Sequence, residues 1–407
     1  MKLHLFATPA DLPRRDRNLL WLLAAAFFIG QYDMTLLSIA LPDIQASFGI
    51  AEEDLGKLVA VGRLGAIPAI LLALVADRLG RRRLMVMTMV GLALSNVATA
   101  FASSTEQFML FQASARLFTT LEEILAVIFA LEMLPDRHRG WGVGFLAAMG
   151  ALGSGLAAGL YALVSYMPGE WRALYIIGAC AIFYVAWLRR NLPESPKFEQ
   201  KKTDVKGDYW EPLKEIFTHH RREITVLLTI AGVFWFQVST TLNFMSKFLQ
   251  DTHGYSQGDV SVLFIAAGTF AIFGNVIAGR MSDRFGRRPT LSVAIAVYSV
   301  AALSFYNTSG WLLPIAWMAA IFCYFAVEVV VGAISGELFP TSCRSTAASL
   351  RTITGVLTGA AGLAVEGGLY SIFGSHGQAL SVMAMTCLVA LPVAMFFLRE
   401  TANTKLD

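Results

Sequence analysis

Charge is what this chain has least of. Only 15% of its 407 residues are Asp, Glu, Lys or Arg, while 56% are hydrophobic. That balance excludes an ordinary soluble globular protein. Cysteine is scarce as well. Cys180, Cys323, Cys343 and Cys387 stand far apart with no Cys-x-x-Cys spacing, which argues against a disulfide framework or a cysteine metal site. The six histidines form neither a His-Glu-x-x-His pair nor any clustered ligand set, so no metal and no cofactor are expected. A Gly-x-x-x-x-Gly-Lys-Ser/Thr loop is missing, which excludes the usual machinery for ATP hydrolysis. No ion-selectivity filter appears. The short alternating strands of a membrane β-barrel are absent too.

What is present is a series of long apolar runs. A membrane-spanning helix needs about 20 such residues, because only a backbone that satisfies its own hydrogen bonds survives in hydrocarbon. Twelve segments qualify, at roughly 18–41, 55–76, 84–103, 106–134, 141–166, 171–190, 222–249, 258–281, 289–308, 311–338, 345–373 and 377–398. The first run lacks a convincing cleavage site and continues into Tyr32-Asp33, so it reads as a retained helix rather than a signal sequence. Basic residues then set the orientation. With both termini cytoplasmic, Arg14, Arg15, Arg17, Arg137, Arg139, Arg189, Arg190, Arg221, Arg222, Arg344 and Arg399 all fall inside. Only Lys57 and Arg172 fall at the outer ends. The formal charge of +3 therefore reflects topology and gives no reason to expect a nucleic-acid partner. The expected location is the cell inner (cytoplasmic) membrane, with the lipid bilayer as partner.

The chain also repeats itself. Asp77-Arg78-Leu79-Gly80-Arg81-Arg82-Arg83 returns as Asp283-Arg284-Phe285-Gly286-Arg287-Arg288-Pro289, at an offset of 283 − 77 = 206. Glu132, Pro135 and Arg139, which close the fourth run, match Glu337, Pro340 and Arg344. Glu194 matches Glu400, and Gln31 matches Gln237. Several functional groups at a near-constant offset indicate an internal duplication. The expected fold is thus an all-α membrane protein of twelve transmembrane helices in two pseudo-symmetric six-helix bundles. The expected halves are 1–190 and 222–407, joined by a charged cytoplasmic linker at 191–221. Within that linker, Trp210–His220 can form a short amphipathic helix on the inner surface.

The paired Asp-Arg-x-Gly-Arg-Arg loops resemble those of the major facilitator superfamily of secondary transporters. The resemblance covers nearly the whole chain. The Pro193-Glu194-Ser195-Pro196 segment, the Glu-x-x-Pro-x-x-x-Arg endings and the closing Arg399-Glu400-Thr401 are similar to the branch holding sugar porters, organic ion transporters and aromatic-acid/proton symporters. Glycine permits the tight turn in each loop, and arginines bridge carboxylates on neighbouring helix ends. The resemblance implies a gating set. In the first half it comprises Asp77, Arg78, Gly80, Arg81, Arg82, Glu132, Arg139 and Glu194. In the second it comprises Asp283, Arg284, Gly286, Arg287, Arg288, Glu337, Arg344 and Glu400.

Ionisable residues inside the runs are functional candidates because hydrocarbon penalises them. They are Asp33, Arg63, Arg116, Glu122, Glu123, Lys247, Glu328, Arg351 and Glu366. By the helical rise of about 1.5 Å per residue, Asp33 and Arg63 lie at similar outer depth and Arg116 lies near mid-membrane. Glu122 and Glu123 lie about 10 Å further inward by the same rise. Adjacent glutamates point about 100° apart on a helix, so one of them faces the cavity and the other faces a neighbour. Asp33, with Arg116, Glu122 and Glu123, is the expected proton-coupling set. A carboxyl that moves between a dry setting and an arginine-paired one can take up and release a proton. The alternative for Asp33 is a static ion pair with Arg63 or Arg116. Relatives carry an Arg on helix four about twenty residues before its terminal Glu. Here Gln112 holds that place, and Arg116 lies one turn off. Arg351 is likewise off the position of the anion-binding Arg on helix eleven, which leaves it divided between anion binding and the inner gate.

Expected substrate contacts are Tyr32, Arg63, Arg116, Glu123, Gln237, Asn243, Glu328 and Arg351, with Trp235 and Phe236 as walls. The resemblance implies a monomer. It also implies a proton-coupled symporter of a small polar metabolite, an organic acid by preference, working by alternating access. Two other readings stay open. One is a proton antiporter exporting drugs or organic cations, and the other is a receptor that kept the fold. No enzyme chemistry is expected, since the buried polar groups are not gathered as nucleophile, base and orienter.

Overall fold

The computed structural model describes residues 13–79, 81–134, 138–190, 211–340 and 342–402. Among them the chain is helical throughout. In the first part run α1 (Arg14–Ile39), α2 (Leu41–Phe48), α3 (Glu52–Leu64), α4 (Ala66–Leu79), α5 (Arg81–Ala100), α6 (Thr105–Met133), α7 (Arg139–Tyr161) and α8 (Trp171–Arg189). Then come α9 (Glu211–His219), α10 (Arg221–Lys247), α11 (Gln257–Phe285), α12 (Arg287–Asn307), α13 (Leu312–Glu337), α14 (Arg344–Phe373) and α15 (His376–Thr386).

Eleven described helical stretches are long and apolar enough to cross a membrane. The twelfth is α6, which is 29 residues long but carries Glu106, Arg116, Glu122, Glu123 and Glu132. These charges set it apart from the other eleven. The second span, read from sequence as one run, is interrupted at Gly65 between α3 and α4. The last span is not one α-helix either. After α15 it passes through a 3₁₀ turn and ends in a π-turn at Val393–Phe397, just past Pro392, which cannot donate to the helical ladder.

Local chemistry explains the helix ends. Ser104 caps α6 by accepting from Gln107 N. Ser256 and Asp259 form a reciprocal capping box on α11, each satisfying an orphan N–H of the first turn. Gly374, at φ 66°, closes α14 in the left-handed region. Leu94, Phe101, Leu110, Val262, Ile372 and Phe396 are large, apolar and exposed. That is the surface a bilayer covers and water would not.

The chain forms two compact units. One comprises Met1–Leu37 with Gly65–Lys206, and the other Ser38–Leu64 with Gly207–Asp407. The duplication places the first two spans in the first half, but packing assigns their ends at Ser38–Leu64 to the second unit. The first unit is built by α5 packed on α6 and α8, and by α4 on α6. Its apolar core runs through Leu20, Leu23, Leu121, Leu125, Phe129 and Leu146. In the second unit α10 packs on α14, α13 on α11 and α12, and α3 on α14. Small residues allow these close approaches, as membrane helices require. A Cβ on Gly362 would lie 1.9 Å from Phe236 O, and one on Gly56 would lie 2.0 Å from Leu363 O. The short α9 rests on the second unit through buried Ile216 and through Ser342 Oγ, which donates to Glu215 Oε1 at 2.9 Å. The amphipathic helix expected at Trp210–His220 is present as Glu211–His219.

Candidate functional site: buried charges in the two units

In the first unit, α1 and α6 carry the polar interior. Asp33 is buried at 5% exposure, where Asn96 and Arg116 are the groups that act on it. Two turns of α6 from Arg116, Glu123 accepts from Gln31 Nε2 at 2.6 Å and also feels Arg116. The charge of Arg116 therefore acts on two carboxylates, Asp33 and Glu123. Gln112 holds the place where relatives carry the arginine, and its amide donates to Thr99 Oγ1 at 3.2 Å. The shift of one turn from Gln112 to Arg116 thus leaves an arginine whose charge still acts on Asp33.

The adjacent glutamates diverge as the helical geometry requires. Glu122 turns away from Glu123 into the packing between α5, α6 and α8. There it is ion-paired with Arg189 and accepts from Thr88 Oγ1 at 2.6 Å. Arg189 reads from sequence as a cytoplasmic topology charge, but its side chain is fully buried. It also donates to Leu22 O from Nε at 3.2 Å and Nη2 at 3.0 Å. Tyr32, expected at the substrate, is buried and donates to Leu174 O at 2.8 Å, with its ring against Gly178.

In the second unit, Arg63 of α3 lies with its guanidinium 4.7 Å over the Trp235 ring and donates to Gly355 O at 3.3 Å. Glu328 of α13 meets Arg351 of α14 at 3.5 Å and feels Trp235 and Arg63. These four residues, on α3, α10, α13 and α14, make one cluster. Asn243 sits nearby on α10. It accepts from Ser38 Oγ at 2.8 Å and donates to Ser239 O at 2.8 Å. Gln237 is elsewhere. It is fully buried, and its amide donates to Thr241 Oγ1 at 2.6 Å, on the side of α10 that faces Tyr298. The repeat match of Gln31 with Gln237 therefore joins two side chains with different surroundings.

The repeated loop of the second unit closes a charge network at the helix ends. Arg287 pairs with Asp283 at 2.6 Å and with Glu337 at 2.8 Å. Thr401 Oγ1 donates to Glu337 at 2.6 Å. Gly286 has φ 102°, and a Cβ there would lie 2.6 Å from Glu400 Oε2, so glycine is required on two counts. The Glu400 carboxylate accepts backbone N–H bonds from Arg287, Arg288, Thr401 and Ala402 at 2.8–3.1 Å. Arg284 stacks over Phe285, and Arg344 donates to Phe339 O at 3.3 Å. In the first unit, Glu132 is half-buried at the end of α6. Gly80, Glu194 and the side chains of Asp77, Arg78, Arg81, Arg82 and Arg139 lie outside the described residues.

A further cluster escaped the sequence reading. Lys247 is buried on α10 and donates to Gln45 Oε1 at 2.5 Å and to Asp251 Oδ2 at 2.5 Å, and it pairs with Glu52 at 3.0 Å. His376 contacts Glu52 at 2.8 Å and Glu366 at 2.6 Å. Lys247 and Glu366 stand out in the sequence as charges within apolar runs. Glu52 and His376 look like ordinary residues at helix ends, and only the fold brings all four together.

Twelve spans, polar helices that hold arginine–carboxylate pairs, and a repeated Asp-Arg-x-Gly-Arg-Arg loop define a multi-pass secondary transporter. The sequence profile of the Major Facilitator Superfamily matches residues 23–271 and 227–407, and the chain belongs to that family. Members are transporters and not enzymes. A probable 4-methylmuconolactone transporter of Cupriavidus pinatubonensis is 24% identical, over 96% of this chain and 91% of its own. A putative niacin/nicotinamide transporter of Bacillus subtilis is 24% identical, over 97% of this chain and 99% of its own. Among solved structures, the xylose transporter of E. coli superposes with a TM-score of 0.77 at 16% identity, covering 95% of this chain and 97% of that one. At that identity the likeness is one of fold.

Proposed function

We propose that this transporter carries a small organic acid together with a proton across the cell inner membrane by alternating access, as a monomer with both termini cytoplasmic. The observation that carries the reading is that Glu123 and the buried Asp33 both feel the charge of one arginine, Arg116. An arginine that serves two carboxylates can release one of them to take a proton when an anionic substrate claims its charge. Asp33 is the proton carrier in this scheme, and Glu123, held by Gln31, is its partner. Glu122 serves structure, because both of its oxygens are taken by Arg189 and Thr88.

The substrate class rests on two supports. The relatives named above are described as moving a lactone of an unsaturated acid and a pyridine carboxylic acid or its amide. In this chain, the Arg63 guanidinium lies 4.7 Å over the Trp235 ring and, like Arg351, acts on Glu328, a setting suited to a planar carboxylate. The export of organic cations is less favoured because Glu122 and Glu328 are each matched by an arginine. The six-helix halves at 1–190 and 222–407 are the moving bodies, with 191–221 as tether. The charge network around Arg287, with its repeat counterpart, steadies their cytoplasmic ends.

Uptake into proteoliposomes tests this. A panel of labelled aromatic and unsaturated carboxylates is offered with and without an inward proton gradient. Gradient-driven accumulation of a carboxylate is expected. Asp33→Asn is expected to abolish accumulation while leaving exchange of substrate across the membrane. Accumulation that ignores the gradient, or an Asp33→Asn protein that still concentrates substrate, rejects the coupling.

A further inference from the structure

His376 lies between two carboxylates that belong to different parts of the second unit. Its Nε2 is 2.8 Å from Glu52 Oε2 of α3, and its Nδ1 is 2.6 Å from Glu366 Oε1 of α14. A neutral imidazole has one N–H and one lone pair. With both carboxylates ionised, it therefore turns that lone pair on a carboxylate oxygen. One more proton on the His376–Glu366 pair makes both contacts attractive. A second observation points to the same ligand. Glu366 has no exposed side-chain surface, and its Oε2 is buried with no hydrogen-bond partner. A buried carboxylate with an idle oxygen is costly unless a proton neutralises it.

Among the described residues, the surroundings leave no other group to supply that charge. Lys247 already serves Glu52, Asp251 and Gln45. Tyr370 and Phe244 cover the imidazole with ring centroids at 4.3 and 5.1 Å. Tyr306, from α12, is the remaining titratable group that acts on Glu366. With the proton bound, the carboxylates of part-buried Glu52 and fully buried Glu366 are balanced by Lys247 and His376, and Asp251, half-exposed, meets solvent. Without it, the buried group carries one uncompensated negative charge.

We propose that Glu52, His376 and Glu366 form a proton-binding site, separate from Asp33, that fastens the Ser38–Leu64 segment to α10, α14 and α15. The ligand is a single proton, and binding it favours docking of the segment. The sign follows from linkage. A state that holds the proton more tightly is populated at low pH and lost as pH rises. In the membrane, this makes docking of the Ser38–Leu64 segment conditional on proton capture.

Pulsed electron-spin distance measurements on the full chain in lipid nanodiscs test the site without substrate or gradient, so they stand or fall independently of the proposed symport. Spin labels go on Ala51→Cys and Trp311→Cys, both at exposed positions. Cys180 is replaced by Ser, since the other three cysteines are buried. A single short distance is expected at about pH 6. A longer population should grow by roughly tenfold per pH unit above the transition, as for a one-proton step. His376→Gln can satisfy only one carboxylate as a donor, and should show the long population at every pH. Glu366→Gln places an amide donor against the imidazole lone pair, and should show the short population at every pH. A wild-type distribution that does not change with pH overturns the site, as does an unaltered pH profile in either variant. If His376→Gln does not fold, Glu366→Gln decides alone.

Discussion

Arg189 and Glu122 pair inside the first unit with side-chain exposures of 0% and 4%. Every remaining polar atom of the pair is also engaged. Thr88 fills the second oxygen of Glu122, and the Leu22 carbonyl receives Nε and Nη2 of Arg189. A buried ion pair of this kind contributes little net stability over an apolar pair of the same volume, but removing one partner strands a charge. Arg189→Met and Glu122→Leu are each expected to destabilise by about 3 kcal/mol or more. The double substitution should restore much of that loss. Thermal unfolding of the purified variants checks it. If the double variant unfolds as early as the sum of the singles predicts, the two side chains are not coupled.

The C-terminal Glu400 gives a pH dependence. Burial pushes its carboxyl up, but the backbone N–H groups of Ala402, Arg287, Arg288 and Thr401 outweigh that and hold it below the usual carboxylate range. A group depressed in the folded state contributes stability above its unfolded value of about 4.3, and loses it as pH falls through the folded value. Wild type should therefore melt above Glu400→Gln at about pH 7, and the gap should shrink steadily below about pH 4. A gap that persists unchanged in acid would assign the effect to the amide's shape rather than to charge.

Much of this molecule is legible in its sequence, for reasons that are physical. Twelve apolar runs read as spans because hydrocarbon imposes length and composition on each. The loop motif reads as a charge network because its partners, Asp283, Glu337 and Glu400, are fixed by the repeat. Three things were not legible. Arg189 stands at a helix end among other basic residues, where its burial depends on which way α8 is rotated against α6. The packing of Ser38–Leu64 with the second unit leaves no mark on hydropathy. Glu52 and His376 are 324 residues apart, and neither sits in a motif. Depth could be counted along a helix, but azimuth could not. Gln237 is therefore expected at the substrate on its depth alone; its amide donates to Thr241, and its carbonyl oxygen is buried without a partner.

Tyr32 separates a structural residue from a substrate residue. Its hydroxyl is buried and donates to Leu174 O. Leu174 O keeps its helical partner within α8, so Tyr32→Phe removes one buried hydrogen bond, at a cost of about 0.5–1.5 kcal/mol. A lower melting temperature with an unchanged KM is expected. A KM raised several-fold at unchanged stability would return Tyr32 to the binding site.

Two glycines of α14, Gly359 and Gly362, lie three residues apart and predict opposite outcomes. A Cβ on Gly362 would meet the backbone of Phe236 at 1.9 Å, whereas one on Gly359 would meet Ser239 Oγ at 2.3 Å and Arg63 Nε at 2.6 Å. A backbone carbonyl cannot move aside without shifting α10 against α14, so Gly362→Ala should cost about 1–3 kcal/mol as overpacking does and lower the melting temperature. The atoms facing Gly359 are the tips of side chains that can rotate. Gly359→Ala should therefore leave the melting temperature close to wild type, because the hydroxyl and guanidinium yield. It should also lift Arg63 from Trp235 and from Gly355 O, contacts that hold its guanidinium in place. If Arg63 binds the substrate carboxylate, KM for the carboxylate found by the uptake screen should rise about tenfold, equal to the loss of roughly 1.4 kcal/mol from one charge-assisted contact. Melting curves and uptake kinetics on the two variants decide between packing and binding. A Gly359→Ala protein with unchanged KM would remove Arg63 from the substrate site and leave it as a tie between α3 and α14.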